Sequence, residues 1–195
     1  MQFFVGLDLG QAQDYTALSV IERRPNVLPT HYQVRHLERF QLGTAYPAIV
    51  DRVCTLMRSP QLRGVSRLVV DATGVGRPVV DLLKKAGLTL EAVTITAGDT
   101  AHAEAGMWRV PKRDLVGVLQ VMLQAKRMVI APSLPEAETL VKELLNFQTK
   151  ITLAGNDTYG AWREGSHDDL VLSVALATWS AERVAGRRDV RSYRG

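Results

Sequence analysis

The stretch Gln2-Phe-Phe-Val-Gly-Leu-Asp-Leu-Gly10 is a nearly continuous apolar run that ends at a glycine. A run of this length, without regular alternation of polar and apolar residues, is typical of a strand that is buried on both faces of a sheet. Its one charged residue, Asp8, stands at the carboxyl end. The run therefore predicts a doubly covered strand that carries an acid where the strand ends.

Working outward from this strand, the sequence predicts an antiparallel meander followed by parallel strands. Further strands are expected over 15–23 and 31–40, since no helical pattern separates them. A strand over 67–71, a helix over 76–86 and a strand over 90–96 form a β-α-β unit, which implies parallel pairing. The remaining predictions are helices over 45–58, 112–126, 135–148 and 166–184, a flexible loop over 97–110 and a β-hairpin over 150–162. The fold class is α/β, a mixed sheet flanked by helices, with the additional β-hairpin before the last helix.

Composition excludes several classes of protein. The chain has 195 residues, of which 46% are hydrophobic and 23% charged, as in a globular domain and unlike a disordered or fibrous chain. Its single cysteine, Cys54, excludes an intramolecular disulfide and a cysteine-based zinc site. No apolar run is long enough to span a membrane, and the first residues have no basic signal-peptide region. We therefore expect a soluble protein that works in a reducing compartment.

The net charge of +4 is concentrated at the carboxyl end of the chain. Residues 183–195 contain five arginines and one aspartate, so residues 1–182 are neutral overall. The sequence predicts one domain over residues 1–184 and a basic tail over residues 185–195. Contact with phosphate or an acidic partner and a passive, solvated end are both open interpretations of this tail.

Acidic residues mark the ends of several predicted elements. Asp8 ends the first strand, Asp71 ends the fourth, and Asp168 and Asp169 open the last helix. Functional groups of open α/β sheets gather where strands end, so these carboxylates are expected to converge. Carboxylate oxygens suit a hard cation such as Mg²⁺, and two such ions can cut a phosphodiester. Each acid also has a structural interpretation: Asp8 and Asp71 as turn caps, and Asp169 in a capping box begun by Ser166.

Four stretches together resemble the nuclease domain of phage terminase large subunits, which is ribonuclease H-like and related to Holliday-junction resolvases. They follow the order of that family and extend over almost the whole chain. They are Gly6-Leu-Asp8-Leu-Gly10 with Asp14-Tyr-Thr-Ala17, Val69-Val-Asp71-Ala-Thr-Gly-Val-Gly76, Val110-Pro-Lys112-Arg-Asp-Leu-Val116, and Ser166-His-Asp-Asp-Leu-Val171.

The resemblance implies a divalent-metal-dependent endonuclease that cuts concatemeric viral DNA during genome packaging in the host cytoplasm. It implies Asp8, Asp71 and Asp169 as catalytic metal ligands for Mg²⁺ or Mn²⁺, with Asp168 as a further ligand. Asp14 and His167 become auxiliary residues. Many relatives carry one more acid a turn into the last helix, where this chain has Leu172. With a leucine at this position, the second metal of a two-metal site would have to be coordinated by Asp168, His167 or water.

The resemblance also implies partners. The chain lacks the phosphate-binding loop of an ATPase, so an ATPase motor domain or subunit is expected to work with it, together with the portal and the small terminase. Double-stranded DNA is the expected substrate, and no membrane is involved. Phosphate contacts supply most sequence-independent affinity for DNA. The candidate basic residues for such contacts are Lys112, Arg113, Lys150 and Arg163, besides the tail; ordinary solvated side chains are the alternative.

Two other functions remain open from the sequence. Gly6-Leu-Asp8-Leu-Gly10 also resembles the phosphate-binding hairpin of actin-like and sugar-kinase-like ATPases, although those proteins enclose a nucleotide between two such domains. A non-catalytic module that docks DNA or the portal is the second alternative, and Leu172 favours it. Trp108 and Trp162 are candidates for stacking on bases or for burial.

Overall fold

The opening apolar run forms β1, an interior strand of an eight-stranded sheet. The computed structural model describes residues 2–10, 14–25, 29–74, 76–153 and 168–192, without the side chains of 147–153 and 186–192. The strands are β1 (Gln2–Asp8), β2 (Ala17–Arg24), β3 (His31–Arg39), β4 (Ser66–Asp71), β5 (Leu90–Thr96), β6 (His102–Glu104), β7 (Met107–Pro111) and β8 (Met128–Ile130). The helices are α1 (Tyr46–Met57), α2 (Gly76–Lys85), α3 (Lys112–Gln124), α4 (Ala137–Leu153) and α5 (Asp169–Ser192).

The strands are arranged in the order β6-β7-β5-β4-β1-β2-β3-β8. β1, β2 and β3 pair antiparallel, as the meander predicts. β1 pairs parallel with β4, and β4 pairs parallel with β5, as the β-α-β unit predicts. The predicted fold class, a ribonuclease H-like mixed sheet flanked by helices, is confirmed.

The prediction of a loop over 97–110 is wrong, because this segment contains β6 and β7. The two strands pair antiparallel around Ala105 and Gly106, which both have positive φ (49° and 79°). This is the backbone of a two-residue hairpin turn, for which Asn-Gly or Asp-Gly would be the usual signal. β7 also pairs parallel with β5. The short strand is therefore stabilised by a neighbour that is distant in sequence, and its own sequence carries little sign of it.

The prediction of a β-hairpin over 150–162 is wrong at its first strand. Residues 150–153 continue α4, which the sequence predicts to end at 148, and residues 154–162 lie outside the described part of the chain. The apolar residues Leu140, Leu144 and Ile151 have helical spacing, which is compatible with this longer helix. Met128–Ile130, which lies between the predicted helices over 112–126 and 135–148, forms β8 and pairs parallel with β3. α5 runs past Val184 to Ser192, so the helix includes much of the predicted basic tail.

Two hydrophobic cores lie on the two faces of the sheet, and β1 supplies alternate residues to them. Phe4 packs into the core formed with α3, α4 and α5, whereas Val5 and Leu7 pack into the core formed with α1 and α2. Gly6 faces α5, since a Cβ on it would lie 1.9 Å from the carbonyl oxygen of Ser173. The alternation of side chains therefore places Asp8 on the α5 face as well. In the described residues, no helix is long and apolar enough to cross a membrane.

Helix α1 is tied to β3 by an ion pair that makes stability depend on pH. Arg52 Nη2 lies 2.7 Å from Glu38 Oε2, and His36 Nε2 lies 2.9 Å from the same oxygen. The His36 hydrogen bond, with that of Arg52, lowers the pKa of Glu38 from 4.5 to about 2. Because the folded pKa is depressed, this stabilisation is complete above pH 4.5 and is lost as the pH falls toward about 2.

We expect Glu38→Gln to lower the free energy of unfolding by about 1 to 2 kcal/mol at pH 6, after allowance for solvent screening. The difference in the free energy of unfolding between this variant and the parent should be about half as large at pH 3. Urea unfolding at both pH values measures it, and Arg52→Gln, which removes the partner, should show the same trend. A difference that is equal at the two pH values would contradict the assignment.

Candidate active site

Asp8 and Asp71 meet at the carboxyl edge of two adjacent parallel strands. Leu7 pairs with Val70 in the register of β1 and β4, so the acids that follow them are neighbours. Val69, two residues before Asp71, packs into the core on the α5 face, and the alternation of side chains places Asp71 on that same face. Both acids are nearly buried, with 6% and 8% of their surface exposed. The sequence prediction that these two acids converge is borne out by their geometry.

The N-terminus of α5 brings two further acids to this edge. Asp168 directly precedes the helix, and its carbonyl oxygen accepts the Leu172 N–H at 2.9 Å. Asp169 is the first helical residue and is 5% exposed. Asp168 therefore occupies the cap position that the sequence assigns to Ser166; Ser166 and His167 lie outside the described residues.

The electrostatics of Asp8 show how closely the acids are grouped. Burial raises the pKa of Asp8 well above its ordinary value, and the charges of Asp71, Asp169 and Asp168 raise it further. The charge of Lys112 acts in the opposite direction. A buried carboxyl group beside three others favours a proton or a nearby cation, because like charges in a poorly solvated site repel each other strongly.

Asp71 is held in one orientation by the turn that follows β4. Its Oδ1 accepts the Thr73 N–H at 2.8 Å and the Thr73 hydroxyl at 2.5 Å. Thr73 Oγ1 in turn accepts the Ile95 N–H from β5 at 2.9 Å. Burial raises the pKa of Asp71, while hydrogen bonds from Thr73 and with Asp8 lower it. Asp71 therefore caps a turn, as its structural interpretation predicts, and also belongs to the acidic cluster.

Lys112 lies inside the cluster rather than on an open surface. It begins α3 directly after β7, and its Nζ lies 3.0 Å from Asp168 Oδ2. Its side chain is 17% exposed. Its charge also lowers the pKa of Asp71. The hairpin β6-β7, which the sequence does not predict, is thus the element that carries this cation to the acids.

Two charged residues at the site are missed by the sequence analysis. Glu143, from the middle of α4, accepts the N–H groups of Leu170 and Val171 with its Oε2, at 3.0 and 3.2 Å. Arg39, the last residue of β3, places Nη2 at 2.9 Å from Glu143 Oε1 and 3.5 Å from Asp169 Oδ2. Burial raises the pKa of Glu143 to about 7, although the Val171 N–H and Arg39 lower it. Neither residue belongs to a motif, so no sequence signal points to them.

The other predicted residues are not brought into the buried cluster. Asp14 is exposed in the β1–β2 connection. Arg113 pairs with Asp99 at 3.1 Å. The side chain of Lys150 and the whole of Arg163 lie outside the description, as does Trp162. Leu172 is buried.

Trp108 is partly buried and packs against the core on the α5 face of the sheet. Its ring lies edge-on to Trp179, with the ring centres 5.5 Å apart. The guanidinium of Arg183 covers it at 4.4 Å. Trp108 therefore packs against its neighbours while part of its surface stays exposed.

Two of the acidic side chains have basic partners, whereas Asp8 and Asp71 share a hydrogen bond. Asp168 pairs with Lys112, and Arg39 lies beside Asp169. Among the described residues, no three His, Cys, Asp or Glu side chains are arranged to hold a metal ion in their present orientations. Asp8, Asp71 and Asp169, with Asp168 beside them, are nevertheless the donors that a hard cation would meet at this edge.

The order of the sheet, the helices on both of its faces and the acids at one edge define a ribonuclease H-like domain. No protein-family model matches the chain. The large terminase subunit of Thermus phage G20c is 26% identical over 175 residues, which cover 90% of this chain and 31% of that protein. This chain therefore spans about a third of the length of that relative.

Solved structures of terminase nucleases have the same fold as this chain. The large terminase nuclease of the thermophilic phage G20c matches with a TM-score of 0.61 and 24% identity, over 90% of this chain and 80% of that one. The large terminase nuclease domain of bacteriophage SPP1 with bound Mn matches with a TM-score of 0.55 and 12% identity, over 94% of this chain and 86% of that one. The resemblance to terminase nuclease domains that the motifs predict is confirmed.

Proposed function

We propose that this chain is the nuclease part of a terminase, a divalent-metal-dependent endonuclease that cuts concatemeric viral DNA during packaging in the host cytoplasm. The observation that carries the proposal is the burial of Asp8, Asp71 and Asp169 together at one edge of the sheet. Burying three like-charged groups together lowers the stability of the fold, which indicates that the acids are grouped for a function. The similarity to a terminase large subunit over most of the chain supports the same role.

The donor set fits Mg²⁺ or Mn²⁺. Carboxylate oxygens are the ligands that these hard cations prefer. The pKa of Asp8 is raised first by burial and then by the neighbouring carboxylates, and a cation would relieve the repulsion among these carboxylates. Asp8, Asp71 and Asp169 would hold the ion, with Asp168 as a ligand for a second one after its side chain turns from Lys112. Bound ions of this kind activate water and offset the charge of a phosphodiester. The bound Mn of the SPP1 nuclease domain supports this choice of metal.

The protein's own residues have separate tasks in this proposal. Thr73 fixes one oxygen of Asp71 and so limits the orientations of that carboxylate. Lys112, which contacts the acidic cluster at Asp168, is placed to attract a DNA phosphate toward the acids. Arg113, Lys150 and Arg163 are proposed as more distant phosphate contacts, and Asp14 and His167 as auxiliary residues. An ATPase motor, the portal and the small terminase are the proposed partners of the whole assembly.

A DNA nicking assay tests the function. Supercoiled plasmid is incubated with the protein in Mg²⁺, in Mn²⁺ and in EDTA, with Asp8→Asn as the inactive control. We expect nicked and then linear DNA with either metal and intact plasmid in EDTA. ATP binding without cleavage would favour the actin-like alternative, and neither activity would favour a docking module; both outcomes contradict a nuclease.

A further inference from the structure

A buried ion pair reaches the N-terminus of α5 from two other elements. Glu143 comes from α4 and Arg39 from the end of β3, and their side chains are 6% and 17% exposed. The pair bridges residues that are 104 positions apart in sequence, at a distance of 2.9 Å. It contacts α5 in the first turn of the helix, where Asp169 lies.

Glu143 performs the task that an N-cap side chain usually performs. The first N–H groups of a helix have no partner within the helix, and the side chain of the preceding residue commonly accepts one of them. Here Asp168 precedes the helix, but its carboxylate is paired with Lys112. Glu143 Oε2 instead accepts the N–H groups of Leu170 and Val171. The backbone on which Asp169 stands is therefore fixed from α4.

Arg39 acts on the side chain of Asp169 rather than on its backbone. Its guanidinium lies 4.2 Å from the centre of the Tyr15 ring, which restricts it from one side. The strand end that carries it is tied to the start of β2 by the Phe40 N–H, which donates to the Thr16 carbonyl at 2.9 Å. Nη2 of this guanidinium lies between the carboxylates of Glu143 and Asp169. A guanidinium held in this place limits the orientations that the Asp169 carboxylate can adopt beside the other acids.

We propose that Glu143 and Arg39 are positioning residues for Asp169: Glu143 fixes the backbone of the first turn of α5, and Arg39 orients the Asp169 carboxylate toward a divalent cation. This inference rests on the proposed function, since it assigns Asp169 to metal binding. It makes α4 and β3 part of the metal centre although neither element carries a proposed ligand. Supporting groups of this kind typically change metal affinity 10- to 100-fold when removed.

Calorimetric titration with Mn²⁺ alone tests the proposal. The proteins titrated are the parent, Glu143→Ala, Arg39→Gln and Arg39→Lys, each at a temperature well below its melting temperature. We expect Glu143→Ala and Arg39→Gln to bind Mn²⁺ about 10- to 100-fold more weakly. Arg39→Lys keeps the charge and should recover part of the affinity. Arg183→Gln is the matched control, because the Arg183 side chain is also 17% exposed, lies further along α5 and pairs with Glu91 of β5. It should lower the melting temperature and leave Mn²⁺ affinity unchanged.

Amide hydrogen exchange separates the two roles without any metal. Glu143→Ala should speed exchange at Leu170 and Val171 about tenfold or more, because both N–H groups lose their acceptor. Arg39→Gln should change exchange at these amides much less. If all variants bind Mn²⁺ as the parent does, the inference is overturned while the proposed function stands. If the parent itself binds no Mn²⁺, both are overturned.

Discussion

Replacing Asp71 by asparagine is expected to abolish metal-dependent DNA cleavage, with a loss of at least about 100-fold even where protein folding is unaffected. Asp8→Asn and Asp169→Asn should have the same effect, since each removes a charged ligand at nearly constant volume. Asp168→Asn should be milder, because Asp168 is more exposed and is paired with Lys112. Rates of plasmid nicking in saturating Mn²⁺ provide the measurement.

The same variants should be more stable than the parent in EDTA. The folded pKa of Asp8 is raised above its ordinary value by burial and by Asp71, Asp169 and Asp168, so ionisation of this cluster at neutral pH disfavours the folded state. Removing one acid relieves that repulsion, and the melting temperature should rise. An inactive variant that also melts lower would indicate a damaged fold instead, and full cleavage by Asp71→Asn would refute the site.

Gly6→Ala should cause the largest loss of stability of any small substitution proposed here, about 3 kcal/mol or more. The added Cβ would lie 1.9 Å from the Ser173 carbonyl oxygen and 3.2 Å from the Ala177 nitrogen, both in the backbone of α5. Backbone atoms cannot rotate away as a side chain can, so α5 must move off the sheet. Because α5 carries Asp169 at its start, cleavage should also fall in whatever fraction remains folded.

Gly117→Ala provides the matched control for this prediction. Gly117 lies inside α3, where a Cβ would have no neighbour within 4 Å. Alanine is favoured over glycine in a helix interior by about 0.5 to 1 kcal/mol, so this variant should be as stable as the parent or more so. Urea unfolding of both variants compares them directly. Equal stability of Gly6→Ala and the parent would mean that α5 does not pack on β1 as closely as described.

The amino-acid sequence alone determined the central part of this fold. β1 contains a long apolar run and β4 a short one, and the runs end at Asp8 and Asp71, so both strands and the positions of their acids can be predicted locally. The three-strand meander and the β-α-β unit follow from element order, because chain connections allow few alternatives. Convergence of Asp8 and Asp71 follows from parallel pairing, which places the ends of both strands at one edge.

Only the tertiary structure decided the elements and contacts that depend on distant partners. β6, β7 and β8 are three to five residues long, and β7 and β8 exist as strands because β5 and β3 offer them hydrogen bonds. Glu143 is one glutamate within an amphipathic helix, and nothing local distinguishes it from the exposed Glu138 of the same helix. Its role, like that of Arg39, arises where α4, β3 and α5 pack together. Local sequence determines which residues a strand or helix presents, but burial and pairing are set by elements far away along the chain.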